Sequence, residues 1–260
     1  MISGRRASAV SLVALAAAVA AVLTGCAAEP VVAAAGTPSA SVAPGATASP
    51  SPAPSTSVTS SAAASSTEVA PTSSSRERVV TLGDSLMSGF GLTASEAWPR
   101  LLAEGTHLSV INLACPGMGF VVQGDCGTPY SGLVPAVAAL QPDLLIVESS
   151  SNDFWQDGDE IRFDTASTLE SLHAAAPDAR IVGLSTIWND DPEVPDDTGV
   201  TSDALRDAVE SVGGTYIDVG QPLAGHPEWM QDDDVHPTAR GQKAIEQSVM
   251  SVLQRAGVLT

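Results

Sequence analysis

The sequence predicts an α/β fold in which a parallel sheet of five strands is covered by helices on both faces. From residue 78 onward, short apolar runs alternate with longer stretches of helical pattern. The short runs are almost continuously apolar, which is typical of strands buried on both faces of a parallel sheet. A Rossmann-like dinucleotide-binding fold is the main alternative, but no Gly-x-Gly-x-x-Gly follows the first strand.

Strands and helices follow one another in a regular order. The strands are expected at residues 78–82, 108–113, 143–147, 180–185 and 215–219. The helices are expected at residues 96–103, 133–140, 163–175, 202–212 and 238–256. The last helix carries one apolar face that includes Ile245, Val249 and Leu253, and Gly257 follows it as a stop signal.

The first 25 residues have the pattern of an export signal. Arg5 and Arg6 precede an apolar run at residues 10–23, which is too short for a comfortable membrane span. Leu23-Thr24-Gly25-Cys26 resembles a bacterial lipobox, and this resemblance implies cleavage before Cys26 and lipid attachment to it. The alternative is an ordinary secreted protein with a chance cysteine.

Residues 26–75 are expected to form a linker after the lipidated cysteine, and residues 76–260 the folded domain. Residues 27–75 are almost wholly Ala, Ser, Thr, Pro and Val, which cannot bury enough surface to fold. The two basic and two acidic residues before residue 76 cancel, so the folded domain carries the whole net charge of -19. Such a domain should repel nucleic acid and favour neutral or cationic substrates.

Ser85 is the first candidate catalytic residue. It lies in Gly83-Asp84-Ser85-Leu86, directly after the first predicted strand. Open α/β sheets bind ligands at the carboxyl ends of their strands, and a serine there acts as a nucleophile when a base is near. Alternatively, this stretch is only a turn or a helix cap.

His236 is the candidate base, because a carboxylate stands three residues before it at Asp233 and can hold one ring nitrogen. The other histidines are His107, His173 and His226. His226 is also followed by proline, but Leu223 stands at that spacing, and His173 lies in a predicted helix.

Two further blocks lie between these residues, Asn112-Leu113-Ala114-Cys115-Pro116-Gly117 and Ser150-Ser151-Asn152-Asp153. Together the four blocks resemble the GDSL, or SGNH, hydrolase family over roughly residues 78–257. The block around Ser85 is most similar to the esterase and lysophospholipase branch. The resemblance implies a flavodoxin-like, three-layer α/β/α fold and hydrolysis of carboxylic esters without a metal or organic cofactor.

The resemblance also implies a role for each residue. Ser85 would be the nucleophile, His236 the base and Asp233 the residue that orients His236. The oxyanion hole would comprise the N–H groups of Ser85 and Gly117 and the side chain of Asn152, although an Asx turn also explains Asn152. The family usually has glycine where Ser150 stands, so Ser150 is expected to be strained if that position needs a positive φ.

Cys115 and Cys126 suggest a disulfide, because the chain is expected to be exported. A catalytic cysteine and a zinc site are weaker alternatives. Trp155, Trp188 and Trp229 either form a rim for sugar rings or acyl chains or simply pack in their loops. The acidic stretch 189–197 is expected to be a solvated loop, since it lacks the ligand spacing of a calcium loop.

We therefore expect an exported, monomeric serine esterase, anchored to a membrane through lipid on Cys26. Its substrate would be a lipid, a small ester or an O-acylated glycan. Acyl transfer to another alcohol, glycan O-acetyl ester hydrolysis and a non-catalytic glycan-binding module are the alternatives. Retention of Ser85, Asp233 and His236 argues against the last of these.

Overall fold

A computed structural model describes residues 76–259, and the predicted signal peptide, Cys26 and linker lie outside this range. The strands are β1 (Arg78–Leu82), β2 (Ser109–Asn112), β3 (Leu144–Glu148), β4 (Arg180–Leu184) and β5 (Thr215–Ile217). They form one parallel sheet in the order β2-β1-β3-β4-β5, which is the strand order of flavodoxin-like folds. The predicted fold class is confirmed.

The two faces of the sheet are both buried because alternate residues of each strand point to opposite sides. On β3, Leu144 and Ile146 join one apolar cluster, while Leu145 and Val147 join the other. Burial of such side chains stabilises the fold by about 1.5–3 kcal/mol each, which explains why the strands are almost wholly apolar.

Helices cover both faces. They are α1 (Ser85–Ser88), α2 (Trp98–Gly105), α3 (Val134–Leu140), α4 (Gly158–Ala175), α5 (Asp197–Ser211) and α6 (Ala239–Arg255). Helices α2 and α6 pack together on one face, and α4 contacts both α3 and α5 on the other. No helix within residues 76–259 has the length and apolar content needed to cross a bilayer.

Several element boundaries differ from those expected. Helix α4 begins five residues early, because the Asp157 carboxylate caps it by accepting the N–H groups of Asp159 and Glu160. Strand β5 is short because Asp218 turns its carboxylate toward the hydroxyl of Ser185 and the N–H of Gly220. The four-residue helix α1 was not expected.

Candidate active site

Ser85 is the first residue of α1, in the turn that leaves the carboxyl end of β1. The carboxylate of Asp84 caps this helix by accepting the N–H of Leu86 at 2.9 Å. A Cβ at Gly83 would lie 2.6 Å from the Met87 sulfur, so the turn needs glycine there. Ser85 is 6% exposed, and within the described residues its N–H has no hydrogen-bond acceptor. The turn therefore presents a rigidly held hydroxyl and a free amide donor.

His236 lies in a loop whose two ends, Met230 and Pro237, pair with each other in an antiparallel bridge. Its Nδ1 lies 2.7 Å from Oδ2 of Asp233. The other oxygen of Asp233 accepts the main-chain N–H groups of Val235 and His236. The hydrogen bonds from the His236 ring and main chain lower the pKa of Asp233 to about 2. Asp233 is therefore ionised at neutral pH and fixes Nδ1, which leaves Nε2 to exchange a proton.

Phe90 connects the two loops that carry Ser85 and His236. Its main-chain N–H donates to the carbonyl oxygen of Ser85 at 3.1 Å. Its ring lies against the imidazole of His236, with 4.4 Å between the ring centroids. Ser85 and His236 themselves form no hydrogen bond among residues 76–259. Such a bond is often long in an empty site and tightens when substrate binds.

The three expected oxyanion donors lie on three loops. Gly117 has a φ of 73°, a conformation that favours glycine, and its N–H has no acceptor in the described part of the chain. The side-chain amide of Asn152 donates to the Met118 carbonyl at 3.1 Å. Its nitrogen lies 3.5 Å from Oδ2 of Asp84, beyond the normal range for such a bond. The second amide hydrogen is therefore only weakly engaged.

The position of Ser150 does not need a positive φ. Its φ is -112°, which is ordinary extended backbone and carries no strain. Its hydroxyl accepts the N–H of Asn152 at 3.0 Å and donates to Oδ2 of Asp84 at 2.6 Å. The serine thus links the turn before the nucleophile to the loop that carries Asn152.

A disulfide joins Cys115 and Cys126 and closes the loop that contains Gly117. The carboxylate of Asp153 accepts three consecutive main-chain N–H groups of this loop, from Phe120, Val121 and Val122. Burial raises the pKa of Asp153, and those three hydrogen bonds offset part of the effect. The loop is thus held by a covalent link on one side and by the residue after Asn152 on the other.

Two buried carboxyl groups, those of Asp84 and Glu148, lie behind the site and were not expected from the sequence. Burial raises the pKa of Asp84, although the Ser150 and Leu86 hydrogen bonds oppose this shift. Burial raises the pKa of Glu148 well above its usual range, and the charge of Asp84 adds to the effect. Oε2 of Glu148 has no hydrogen-bond partner within the described residues. A glutamate at the end of an otherwise apolar strand was the available signal.

The remaining candidates lie elsewhere or have other contacts. His226 faces Glu228 at 3.1 Å and stacks on Trp229, with ring centroids 3.5 Å apart. Trp188 is half-buried and stacks on Phe154, whereas Trp155 is 82% exposed. No group of three His, Cys, Asp or Glu side chains within residues 76–259 is arranged to hold a metal ion.

A cavity of about 630 Å³ lies at the opposite end of the sheet from Ser85. Its lining includes Arg76, His107 and Leu259, all near the amino ends of the strands or the end of the chain. The lining of this cavity includes none of the candidate site residues.

A model of the GDSL-like lipase/acylhydrolase family matches residues 81–244. The chain belongs to this family. Thioesterase 1/protease 1/lysophospholipase L1 of Escherichia coli is 26% identical, over 70% of this chain and 86% of that protein. An arylesterase of Vibrio mimicus is 23% identical, over 71% of this chain and 92% of that protein.

Solved structures agree on the fold. The esterase EstA from Pseudoalteromonas superimposes with a TM-score of 0.56 and 19% identity, covering 70% of this chain and all of that one. As a member of the GDSL-like family, the protein is a carboxylic ester hydrolase.

Proposed function

We propose that the protein hydrolyses carboxylic esters outside the cytoplasm through an acyl-enzyme formed on Ser85. The observation that carries this proposal is the 2.7 Å contact between Nδ1 of His236 and Oδ2 of Asp233. These two residues lie in a loop that contacts Phe90, and Phe90 is hydrogen-bonded to the turn of Ser85. A fixed imidazole beside a serine at a strand end is the arrangement that activates a hydroxyl for attack.

The reaction would proceed in two halves. In the first, Oγ of Ser85 bonds to the ester carbonyl carbon, and its proton passes to Nε2 of His236. The imidazolium then gives that proton to the alcohol oxygen as the ester C–O bond breaks. In the second half, water loses a proton to His236 and attacks the acyl carbon. Ser85 recovers its proton when the acid leaves.

Negative charge on the carbonyl oxygen would be stabilised by donors already fixed in direction. We assign the N–H groups of Ser85 and Gly117 to this role, because neither has a competing acceptor among the described residues. The weakly engaged hydrogen of Asn152 would supply the third donor. In a well-studied protease, loss of one such donor costs about 10²–10³ in turnover.

The exposed apolar side chains around this site favour an uncharged ester. Phe90 contacts His236, Val235 precedes it, and Trp155 follows Asn152 by three residues; all three are exposed. The acidic domain would disfavour anionic substrates by repulsion. The preferred acyl group would be identified by the rate of p-nitrophenol release from p-nitrophenyl esters of increasing acyl chain length. The release of acetate from acetylated glycans would be measured beside it. If the enzyme transfers the acyl group to an added alcohol, a new ester of that alcohol would form.

The two histidine–carboxylate pairs permit a matched test of the mechanism. Ser85→Ala and His236→Ala should abolish ester hydrolysis in protein that still folds. His226→Ala removes the other histidine that faces a carboxylate, and should leave turnover within a few-fold. Turnover in Ser85→Ala equal to wild type, or a severe loss in His226→Ala alone, would refute the assignment.

We further propose that the domain is tethered to a membrane through lipid on Cys26, as the lipobox-like residues before it suggest. Cys26→Ser would then move the protein from the membrane fraction to the soluble fraction. If wild type and variant fractionate identically, the lipid anchor at Cys26 is rejected, and the protein is secreted or is retained in some other way.

A further inference from the structure

We propose that Gln231 is a positioning residue that sets the separation between Ser85 and His236. This inference rests on the catalytic roles proposed above. Ser85 and His236 form no hydrogen bond with each other among residues 76–259, so other contacts must hold their loops in register, and the Phe90 ring against His236 is one of them. Gln231 supplies a hydrogen bond that joins the two loops.

The main chain of Gln231 closes the loop that carries the catalytic histidine. Its N–H donates to the carbonyl oxygen of His236 at 2.8 Å, and its carbonyl accepts the N–H of Asp234 at 3.1 Å. The residues between, 232 to 235, are exposed. The shape of this loop therefore depends on Gln231 at its base.

The side chain of Gln231 ties the same loop to the nucleophile turn. Its Nε2 donates to the carbonyl oxygen of Phe90 at 2.8 Å and to that of Pro237 at 3.0 Å. Phe90 in turn donates its N–H to the carbonyl of Ser85. One amide thus links the residue after His236 to the segment that follows Ser85, across 141 residues of sequence.

Gly91 makes room for this link. It has a φ of 78°, and a Cβ at this position would collide with Oε1 of Gln231. The amide therefore lies flat against the backbone of the nucleophile segment, where a side chain would displace it. The close contact with Gly91 and the two hydrogen bonds leave the amide little freedom.

Loss of the link should affect the chemical step more than substrate binding. The main-chain hydrogen bonds within the His236 loop would remain, but the hydrogen bond from this loop to the Phe90 carbonyl would be lost. The distance between His236 and Ser85 would then be less tightly fixed. Misplacement of a catalytic group by about 1 Å can cost on the order of 100-fold in rate. KM should change little, because the Gln231 amide offers no apolar surface for a substrate to contact.

The test compares three variants of the full chain. Gln231→Met keeps the length of the side chain and removes both N–H donors, whereas Gln231→Lys keeps a nitrogen donor one bond farther from the backbone. We expect kcat to fall about 10- to 100-fold in Gln231→Met with KM within about threefold, and Gln231→Lys to recover part of the loss. Gln221→Met is the matched control. The amide of Gln221 also makes two main-chain hydrogen bonds in a loop, to Trp188 and Thr186.

Equal kcat in wild type and Gln231→Met, or an equal loss in Gln221→Met, would overturn the inference. Reaction of Ser85 with a fluorophosphonate, followed by mass spectrometry, gives a readout that needs no ester substrate. Slower labelling in Gln231→Met than in wild type would support the positioning role. Absence of labelling at Ser85 in the wild type would instead reject the nucleophile itself, and the positioning role with it.

Discussion

The hydroxyl of Ser150 donates a 2.6 Å hydrogen bond to Oδ2 of Asp84, and both side chains are buried. The amide nitrogen of Asn152 lies 3.5 Å from the same carboxylate oxygen. Both donors face this oxygen, which can accept more than one hydrogen bond, and Ser150 has the closer contact. The hydroxyl keeps the carboxylate satisfied, which leaves the amide of Asn152 available to a substrate oxygen.

Ser150→Ala should remove the closer of the two donors to Asp84. The buried Asp84 oxygen would lose its close donor, at a cost of about 1–3 kcal/mol in the free energy of unfolding. The Asn152 amide would then move toward the carboxylate, and turnover should fall by up to about 10² as that donor is lost.

Ser150→Thr is the matched control for this change, because it keeps the hydroxyl. Its extra methyl group should lower the melting temperature through overpacking but spare most of the turnover. Paired melts and kinetics separate the two effects. Equal turnover in the alanine and threonine variants would show that the hydroxyl does not govern Asn152.

The disulfide between Cys115 and Cys126 is expected to steady the oxyanion loop as well as the fold. Closing a loop of this size contributes about 3 kcal/mol in the chain-entropy model. The three hydrogen bonds to Asp153 remain when the bridge is removed, so Gly117 should loosen without being released.

We therefore expect the Cys115→Ser, Cys126→Ser double variant to stay folded at room temperature and melt earlier. Its turnover should fall by no more than about tenfold. Thermal melts beside esterase kinetics test both parts, and mass spectrometry establishes the bridge in the wild type. A lower melting temperature with unchanged turnover would assign the bridge to stability alone.

Glu148 should make the fold less stable as the pH rises. Its pKa is raised in the folded state by burial, so the folded protein holds this proton after the unfolded chain has released it. The stability linked to this group is fully present below the ordinary pKa of 4.5 and declines above it, up to the folded pKa.

Glu148→Gln removes the titration, so the melting temperature of this variant relative to wild type should rise between pH 5 and pH 8.5. Glu170→Gln, at an exposed position on α4, is the surface control and should show no such trend. A difference between Glu148→Gln and wild type that stays constant with pH would contradict the buried, titrating carboxyl.

The fold was predictable because the signals that determine it are local. Apolar strands such as Leu144–Glu148 alternate with helices, and a parallel sheet is the arrangement that buries both faces of such strands. Boundaries were less accurate where a side chain decides them, as the cap at Asp157 does for α4. The short helix α1 has too few residues to carry a periodic pattern.

Spacing alone predicted one contact of the candidate site, whereas the roles of Ser85, Gly117 and Asn152 were expected from the family resemblance. Asp233 and His236 are three residues apart, so their contact could be inferred from spacing. The bonds from Ser150 to Asp84 and from Gln231 to Phe90 join residues 66 and 141 positions apart. No sequence spacing encodes such pairs, and only the folded chain brings them together.

Asp233 should govern both catalysis and stability in acid. Asp233→Asn removes the charge that stabilises the imidazolium of His236 and alters which ring nitrogen carries the proton. In a serine protease the equivalent change lowers kcat by about 10⁴. The side chain of Asp233 is 43% exposed, so we expect a smaller loss here, about 10²–10³. Asp232→Asn and Asp234→Asn, which change the neighbouring exposed carboxylates, should leave turnover within a few-fold.

The pH dependence of the Asp233→Asn variant distinguishes this role from a loss of fold. Because the pKa of Asp233 is lowered from 3.8 to about 2, its ionised form stabilises the folded state above pH 4. That contribution should be lost as the pH falls through about 2, and solvent screening should keep it below about 1 kcal/mol. Melts of wild type and Asp233→Asn should therefore differ at pH 6 and converge near pH 2. A constant difference between the two over this range would mean that Asp233 does not hold His236 as an ionised carboxylate.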